Sequence, residues 1–214
     1  MNSSMQCPLC KERSGKRHCP GARAYICTLC CGREREVSID CPYECPHLQD
    51  AYRNEGLRAE PPEKLVFSEH EVSDAFLDEQ APFIAGLTLT LLDYARDGSG
   101  VHDDDLRAVI DSLVRTYQTL ASGLVYETLP DGQLRVDLYR RIQQFVQDWR
   151  RRQSEQAGIT TPRDGDVLRS LVFLARTAQG RQNNRPRGRS FLAFLRRAFP
   201  AAARQHQNLI VPGR

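Results

Sequence analysis

Residues 7–47 decide the fold of this chain, and they read CPLCKERSGKRHCPGARAYICTLCCGREREVSIDCPYECPH. All eight cysteines of the 214-residue chain lie in this stretch. Cysteines crowded in this way belong either to a disulfide framework of an oxidising compartment or to a metal site. The N-terminus does not read as a secretory signal, so we expect a metal site in a cytoplasmic protein.

Two pairs of cysteines have two intervening residues, a spacing that lets both thiolates bind one tetrahedral ion from a tight turn. The pairs are Cys7 with Cys10 and Cys27 with Cys30. Together they predict a closed four-thiolate zinc site. An iron–sulfur cluster, thiol redox chemistry and a chance arrangement of cysteines are the alternatives, although the spacing does not match the common ferredoxin patterns.

The other four cysteines predict a second zinc ion whose ligands interleave with those of the first. Adjacent side chains of an extended chain point in opposite directions, so Cys30 and Cys31 are expected to serve different ions. Zinc fits both sites because thiolates are soft ligands and a four-thiolate shell is the usual structural site. The expected ligands of the second ion are Cys19, Cys31, Cys41 and Cys45, with His47 or His18 as a substitute for one of them.

The spacing of the cysteines in residues 7–30 resembles the B-box type of zinc finger. This resemblance implies a cross-brace double zinc finger, in which the ligands of two ions alternate along the chain. Ala22 stands where a B-box carries a further ligand, and the segment around Cys41 and Cys45 differs from the end of a B-box.

Composition divides the chain into parts. The first part has few apolar residues for its size, so metal binding and folding are expected to be one event. Pro61 and Pro62 favour extended chain and indicate a linker. The predicted parts are a cysteine-rich zinc-binding module at 1–56, a linker at 57–63, an all-helical domain at 64–200 and a tail at 201–214.

The apolar pattern after the linker is helical. Apolar residues recur at intervals of three and four, which predicts amphipathic helices. Pro82 is expected to kink or break the first of them, and the Thr161, Pro162 and Asp164 pattern indicates a helix start that Gly180 later stops. The predicted helices cover residues 72–96, 103–124, 134–149, 167–175 and 190–199. The expected fold class is therefore mainly α, with a small cross-brace zinc module followed by a bundle of five or six helices.

Charge is divided unevenly along the chain. Residues 61–134 contain four basic and fourteen acidic residues, whereas residues 135–214 contain seventeen basic and five acidic residues. A Pro-Arg-Gly-Arg run near the basic end is similar to the core of an AT-hook, and flexible arginines of this kind track phosphates. Alternatively, these arginines pair with the acidic helices or cap carbonyl groups. The candidate phosphate contacts are Arg181, Arg185, Arg187 and Arg189.

The sequence contains none of the common signatures for nucleotide binding, serine hydrolysis or zinc proteolysis. Its most apolar run, residues 82–92, has about half of the ~20 residues that span a membrane. We therefore expect a non-catalytic zinc-binding adapter with a helical domain that binds a protein partner, and no membrane association. Nucleic-acid binding through the arginine-rich end is the alternative, and a thiol redox switch or an enzyme is the second alternative.

Overall fold

A computed structural model describes residues 6–56, 62–96, 100–155 and 162–200. The mainly α prediction is confirmed, because an N-terminal cysteine cluster is followed by a helical bundle. The predicted linker at 57–63, apart from Pro62 and Glu63, and the tail at 201–214 lie outside the described residues. The elements are β1 (Arg17–Cys19), β2 (Ala24–Ile26), α1 (Thr28–Glu34), α2 (Pro46–Gly56), α3 (Asp74–Arg96), α4 (Asp103–Ala121), α5 (Gln133–Glu155), α6 (Asp164–Arg181) and α7 (Ser190–Ala198).

Helix α4 lies at the centre of the bundle. Its apolar residues recur every three or four positions, and this stripe is buried against α5 and α6. Helix α3 packs against α5, α6 and α7, which closes the other side of the core. The side chains of α4 that are completely buried are Leu106, Val109, Ile110, Leu113 and Val114.

The last turn of α4 corrects the predicted end of this helix. The helix ends at Ala121 rather than at Leu124, because Gly123 adopts a left-handed φ of 80°. The N–H of Leu124 then donates to the carbonyl of Thr119 at 2.9 Å, and the N–H of Gly123 donates to Leu120 at 3.0 Å. This Schellman arrangement satisfies the last carbonyls of α4 and leaves the side chain of Leu124 63% exposed.

The sequence predicts a break or a kink at Pro82. Helix α3 is continuous through Pro82, so it does not break there, and the kink stays a prediction. Proline removes the N–H that would bond the carbonyl of Asp78, but both residues are exposed. The freed carbonyl is on the exposed side of the helix, and the apolar face stays packed in the core.

The remaining helices differ from their predicted ranges at the ends. Helix α5 continues past residue 149 to Glu155. Helix α6 begins at Asp164, and the N–H of Arg163 donates to the carboxylate of Asp166 at 2.9 Å. Thr161, part of the predicted start of this helix, lies outside the described residues. None of the helices in the described ranges is long and apolar enough to cross a membrane.

The buried apolar residues form two clusters, one within the bundle and one around the cysteines. Ala193 of α7 belongs to the cysteine cluster, so α7 contacts both. The buried carboxylate of Asp103 accepts hydrogen bonds from the N–H groups of Phe191 (2.8 Å) and Leu192 (3.1 Å) and so fixes the start of α7 on α4. Burial raises the pKa of Asp103 to about 6, although these donors oppose the rise.

Candidate metal centre

The first pair of cysteines lies on a tight turn. The N–H of Cys7 donates to the carbonyl of Arg13 at 2.7 Å, and the N–H of Lys11 donates to the carbonyl of Cys7 at 2.8 Å. Lys11 has a left-handed φ of 55°, which reverses the chain after Cys10. These contacts turn both sulfur atoms of the pair toward the second pair.

The second pair lies where β2 leads into α1. Cys27 is the N-cap of α1, and its sulfur accepts a hydrogen bond from the N–H of Cys30 at 3.4 Å. The helical turn between them brings the two side chains to one side of the chain, because residues three apart lie on one face of a helix.

The four sulfur atoms of Cys7, Cys10, Cys27 and Cys30 lie within 4.8 Å of one another. Cys10 Sγ and Cys27 Sγ are 3.9 Å apart. A tetrahedral zinc ion with bonds of 2.3 Å separates its sulfur ligands by about 3.8 Å, so the group has the size that zinc requires. All eight cysteines are free of disulfide bonds. The first predicted site is therefore assembled as a group that fits one zinc ion.

The acidities of these thiols show that they depend on one another. Burial raises the pKa of Cys7, but N–H groups of neighbouring residues lower it to about 6. A hydrogen bond to Cys27 and burial raise the pKa of Cys30 to about 12. Thiolates at these distances repel one another, and a cation bound between them would offset that repulsion.

The other four cysteines are buried but do not form an equally tight group. Among the described residues, the first group is the one set of three or more potential ligands close enough to hold an ion. Cys19, Cys31, Cys41 and Cys45 instead line one cavity of about 10 Å³, and Ile26, Ile39 and Leu48 lie beside them. The adjacent residues Cys30 and Cys31 thus lie at different sites: Cys30 is in the four-sulfur group, and Cys31 lines this cavity.

Cations and hydrogen-bond donors surround the sulfur atoms of this cavity. Cys31 Sγ accepts from the guanidinium groups of Arg17 (3.7 Å) and Arg35 (3.8 Å), and Cys19 Sγ accepts from the N–H of Ala22 (3.4 Å). Burial raises the pKa of Cys41 to about 11. His18 and His47 also border this cavity, and His18 is exposed at the surface.

Comparisons with protein-family models, with curated proteins and with solved structures give no match for this chain.

The structure places two of the candidate phosphate contacts against the cysteine-rich module. Arg185 donates to the carbonyl of Arg35 at 2.8 Å and lies 3.4 Å from the carboxylate of Glu55. Arg189 pairs with Asp40 and donates to the carbonyls of Cys41 and Val101, both at 3.1 Å. The carboxylates that these arginines meet thus belong to the module. Arg189 also contacts His102, the residue before α4.

The other two candidate phosphate contacts remain at the surface. The guanidinium of Arg181 lies 4.4 Å from the centre of the Phe194 ring, a cation–π distance. The side chain of Arg187 is exposed, while its backbone N–H donates to the carbonyl of Glu36 at 2.9 Å.

Glu36 is a buried carboxylate that the sequence does not reveal. It is 1% exposed and accepts hydrogen bonds from Tyr52 Oη, from Asn183 Nδ2 at 2.7 Å and from the N–H of Arg189 at 2.8 Å. Glu36 lies in an alternating run of arginine and glutamate that is typical of an exposed segment. The single signal of a special position is its left-handed φ of 53°, and only the structure gives that.

Proposed function

We propose that this chain is a non-catalytic adapter whose cysteine-rich module folds around two structural zinc ions. The observation that carries this proposal is the group of Cys7, Cys10, Cys27 and Cys30, in which the protein supplies four sulfur ligands. A catalytic zinc ion keeps a coordination position for water or substrate, and four thiolates fill every position of a tetrahedral ion. The chemistry of the donors therefore favours a structural role.

The second zinc ion belongs to the cavity of Cys19, Cys31, Cys41 and Cys45. Four thiols buried around one small cavity have the composition of a zinc site, and the guanidinium groups of Arg17 and Arg35 donate to the sulfur of Cys31 there. Ligand side chains move together when zinc binds, since binding and folding are coupled. We place the protein in a reducing compartment, the cytoplasm, because eight thiolate ligands must stay reduced.

Elemental analysis tests the metal content. The purified chain is expected to carry two zinc ions, and the variants His18→Ala and His47→Ala are expected to keep both, because the cysteines suffice as ligands. One zinc ion per chain would remove the second site from the proposal. Iron in place of zinc would overturn the metal assignment at both sites. Loss of one ion in a histidine variant would make that histidine a ligand.

The proposed partner surface is the segment that follows α4. It exposes four large apolar side chains, with Val125 94% exposed and Tyr126 67% exposed. Its backbone is held to α4, since Thr119 Oγ1 donates to the carbonyl of Tyr126 at 2.9 Å. Exposed apolar residues that lie together mark sites of protein–protein contact. The apolar residues of this partner segment are Leu124, Val125, Tyr126 and Leu129.

Changing Val125 and Tyr126 together to serine tests the adapter function. We expect an unchanged melting temperature, since surface substitutions usually alter stability by less than about 0.5 kcal/mol. A protein partner that cross-links to the unmodified chain in native lysate, identified by mass spectrometry, should be lost. Leu65→Ser is the matched control, because Leu65 is 45% exposed elsewhere on the chain. If the double variant retains the partner, the partner binds at a different surface. If no partner is found, the adapter function is rejected.

A further inference from the structure

The β1–β2 hairpin presents two aromatic rings to solvent. His18 and Tyr25 are directly opposite each other in the antiparallel register, so both point away from the module. Their neighbours Cys19 and Ile26 point inward and are buried. The two ring centroids are 5.5 Å apart with an interplanar angle of 66°, and Tyr25 is 45% exposed. The outer side of the hairpin therefore carries an exposed aromatic surface.

Cations lie at both ends of this aromatic surface. Lys16 precedes β1 and Arg23 precedes β2, and because the strands are antiparallel, these residues lie at opposite ends of the hairpin. Both side chains are exposed, and neither forms a hydrogen bond or an ion pair within the described ranges. We call Lys16, His18, Arg23 and Tyr25 the hairpin face.

The charge around the hairpin is one-sided. The residues between Cys10 and Cys27 include five basic side chains and a single acidic one, Glu12. This contrasts with the arginine-rich end, where Arg185 and Arg189 are held by carboxylates and carbonyls of the module. The cations of the hairpin face can therefore contact phosphates. The guanidinium groups of Arg185 and Arg189 are instead occupied by partners within the chain.

We propose that the hairpin face binds single-stranded nucleic acid. A base stacks on Tyr25 and His18, and Lys16 and Arg23 contact the phosphates on either side of it. Every base has an aromatic face, so this arrangement binds single strands with little sequence preference. An acidic peptide would use the two cations but not the rings, which is why a nucleic acid fits better. This partner class goes beyond the proposed adapter function, and the hairpin face shares no residue with the partner segment.

Fluorescence anisotropy with the zinc-loaded full chain tests the proposal. The probes are labelled oligo-dT and oligo-U of about 15 nucleotides, a length that covers one binding module. Tyr25→Ala is expected to weaken binding by about tenfold, since a stacked base contributes a factor of about five or more, and Tyr25→Phe should bind like the unmodified chain. Lys16→Ala and Arg23→Ala should each reduce the slope of log affinity against log salt by about 0.7.

Two control variants and a zinc assay keep the outcomes distinct. Leu65→Ala and Arg151→Ala remove a 45% exposed apolar side chain and a 67% exposed cation far along the chain, and both should bind like the unmodified protein. Zinc content is measured for every variant, so a loss of metal is recognised as a failure of folding rather than of recognition. The proposal is overturned if Tyr25→Ala binds like the unmodified chain. Equal affinity for duplex DNA or for an oligo-glutamate peptide overturns it as well.

Discussion

Removal of zinc is expected to unfold residues 7–47 while most of the helical signal remains. The cluster of buried residues around the cysteines is small and made largely of the cysteines themselves. Each structural zinc ion contributes roughly 10–16 kcal/mol of apparent binding energy. That is as large as the whole stability of a typical domain, about 5–15 kcal/mol. The bundle has a separate core, so its helices should outlast the module.

Substitution of one ligand of the first site, Cys27, should likewise unfold residues 7–47. In Cys27→Ser the four-sulfur group loses one ligand and α1 loses its N-cap sulfur, so zinc should be released. Circular dichroism follows the helices, and hydrogen exchange of residues 7–47 follows the module. His47→Ala is the control and should keep hydrogen-exchange protection. Protection that survives chelation in residues 7–47 would show that metal is not what folds the module.

Glu36→Ala is expected to lower the free energy of unfolding by about 3 kcal/mol. The substitution leaves three donors without their acceptor, one on buried Tyr52 and two on the part-buried residues Asn183 and Arg189. An unsatisfied buried donor costs about 1–3 kcal/mol, although partial relaxation toward water reduces the sum. Alanine and glutamate are similarly disfavoured at a φ of 53°, so the backbone contributes little to the difference.

Chemical denaturation of zinc-loaded protein measures this effect, with zinc content checked in each sample. Glu44→Ala is the matched control, because Glu44 is an exposed carboxylate of the same module and its loss should be nearly neutral. Glu36→Gln should fall between the two, since it keeps one acceptor oxygen. If Glu36→Ala and Glu44→Ala have equal stability, Glu36 does not hold the module to the 183–189 segment.

The sequence by itself determined the features that depend on residues close in the chain. The two Cys-x-x-Cys pairs predict the four-sulfur group because two intervening residues suffice to turn both sulfur atoms of a pair to one side. The apolar period located α4 because burial of one helical face requires that spacing. The predicted end of α4 was too late because Leu124 continues the apolar period. Gly123 ends the helix through its left-handed backbone conformation, which the period does not show.

Only the tertiary structure decided what the buried carboxylates and the arginine-rich end do. Glu36 meets Asn183 and Arg189 across separations of 147 and 153 residues, and no local pattern encodes such a pairing. In the sequence, Arg185 and Arg189 resemble phosphate-binding residues, because they lie in a glycine-containing run that has no acidic residue beside it. Folding supplies that partner by placing the carbonyls of Arg35 and Cys41 and the carboxylates of Asp40 and Glu55 beside them. Burial and charge pairing are properties of surfaces that meet in space, which is why they appear only when the chain is folded.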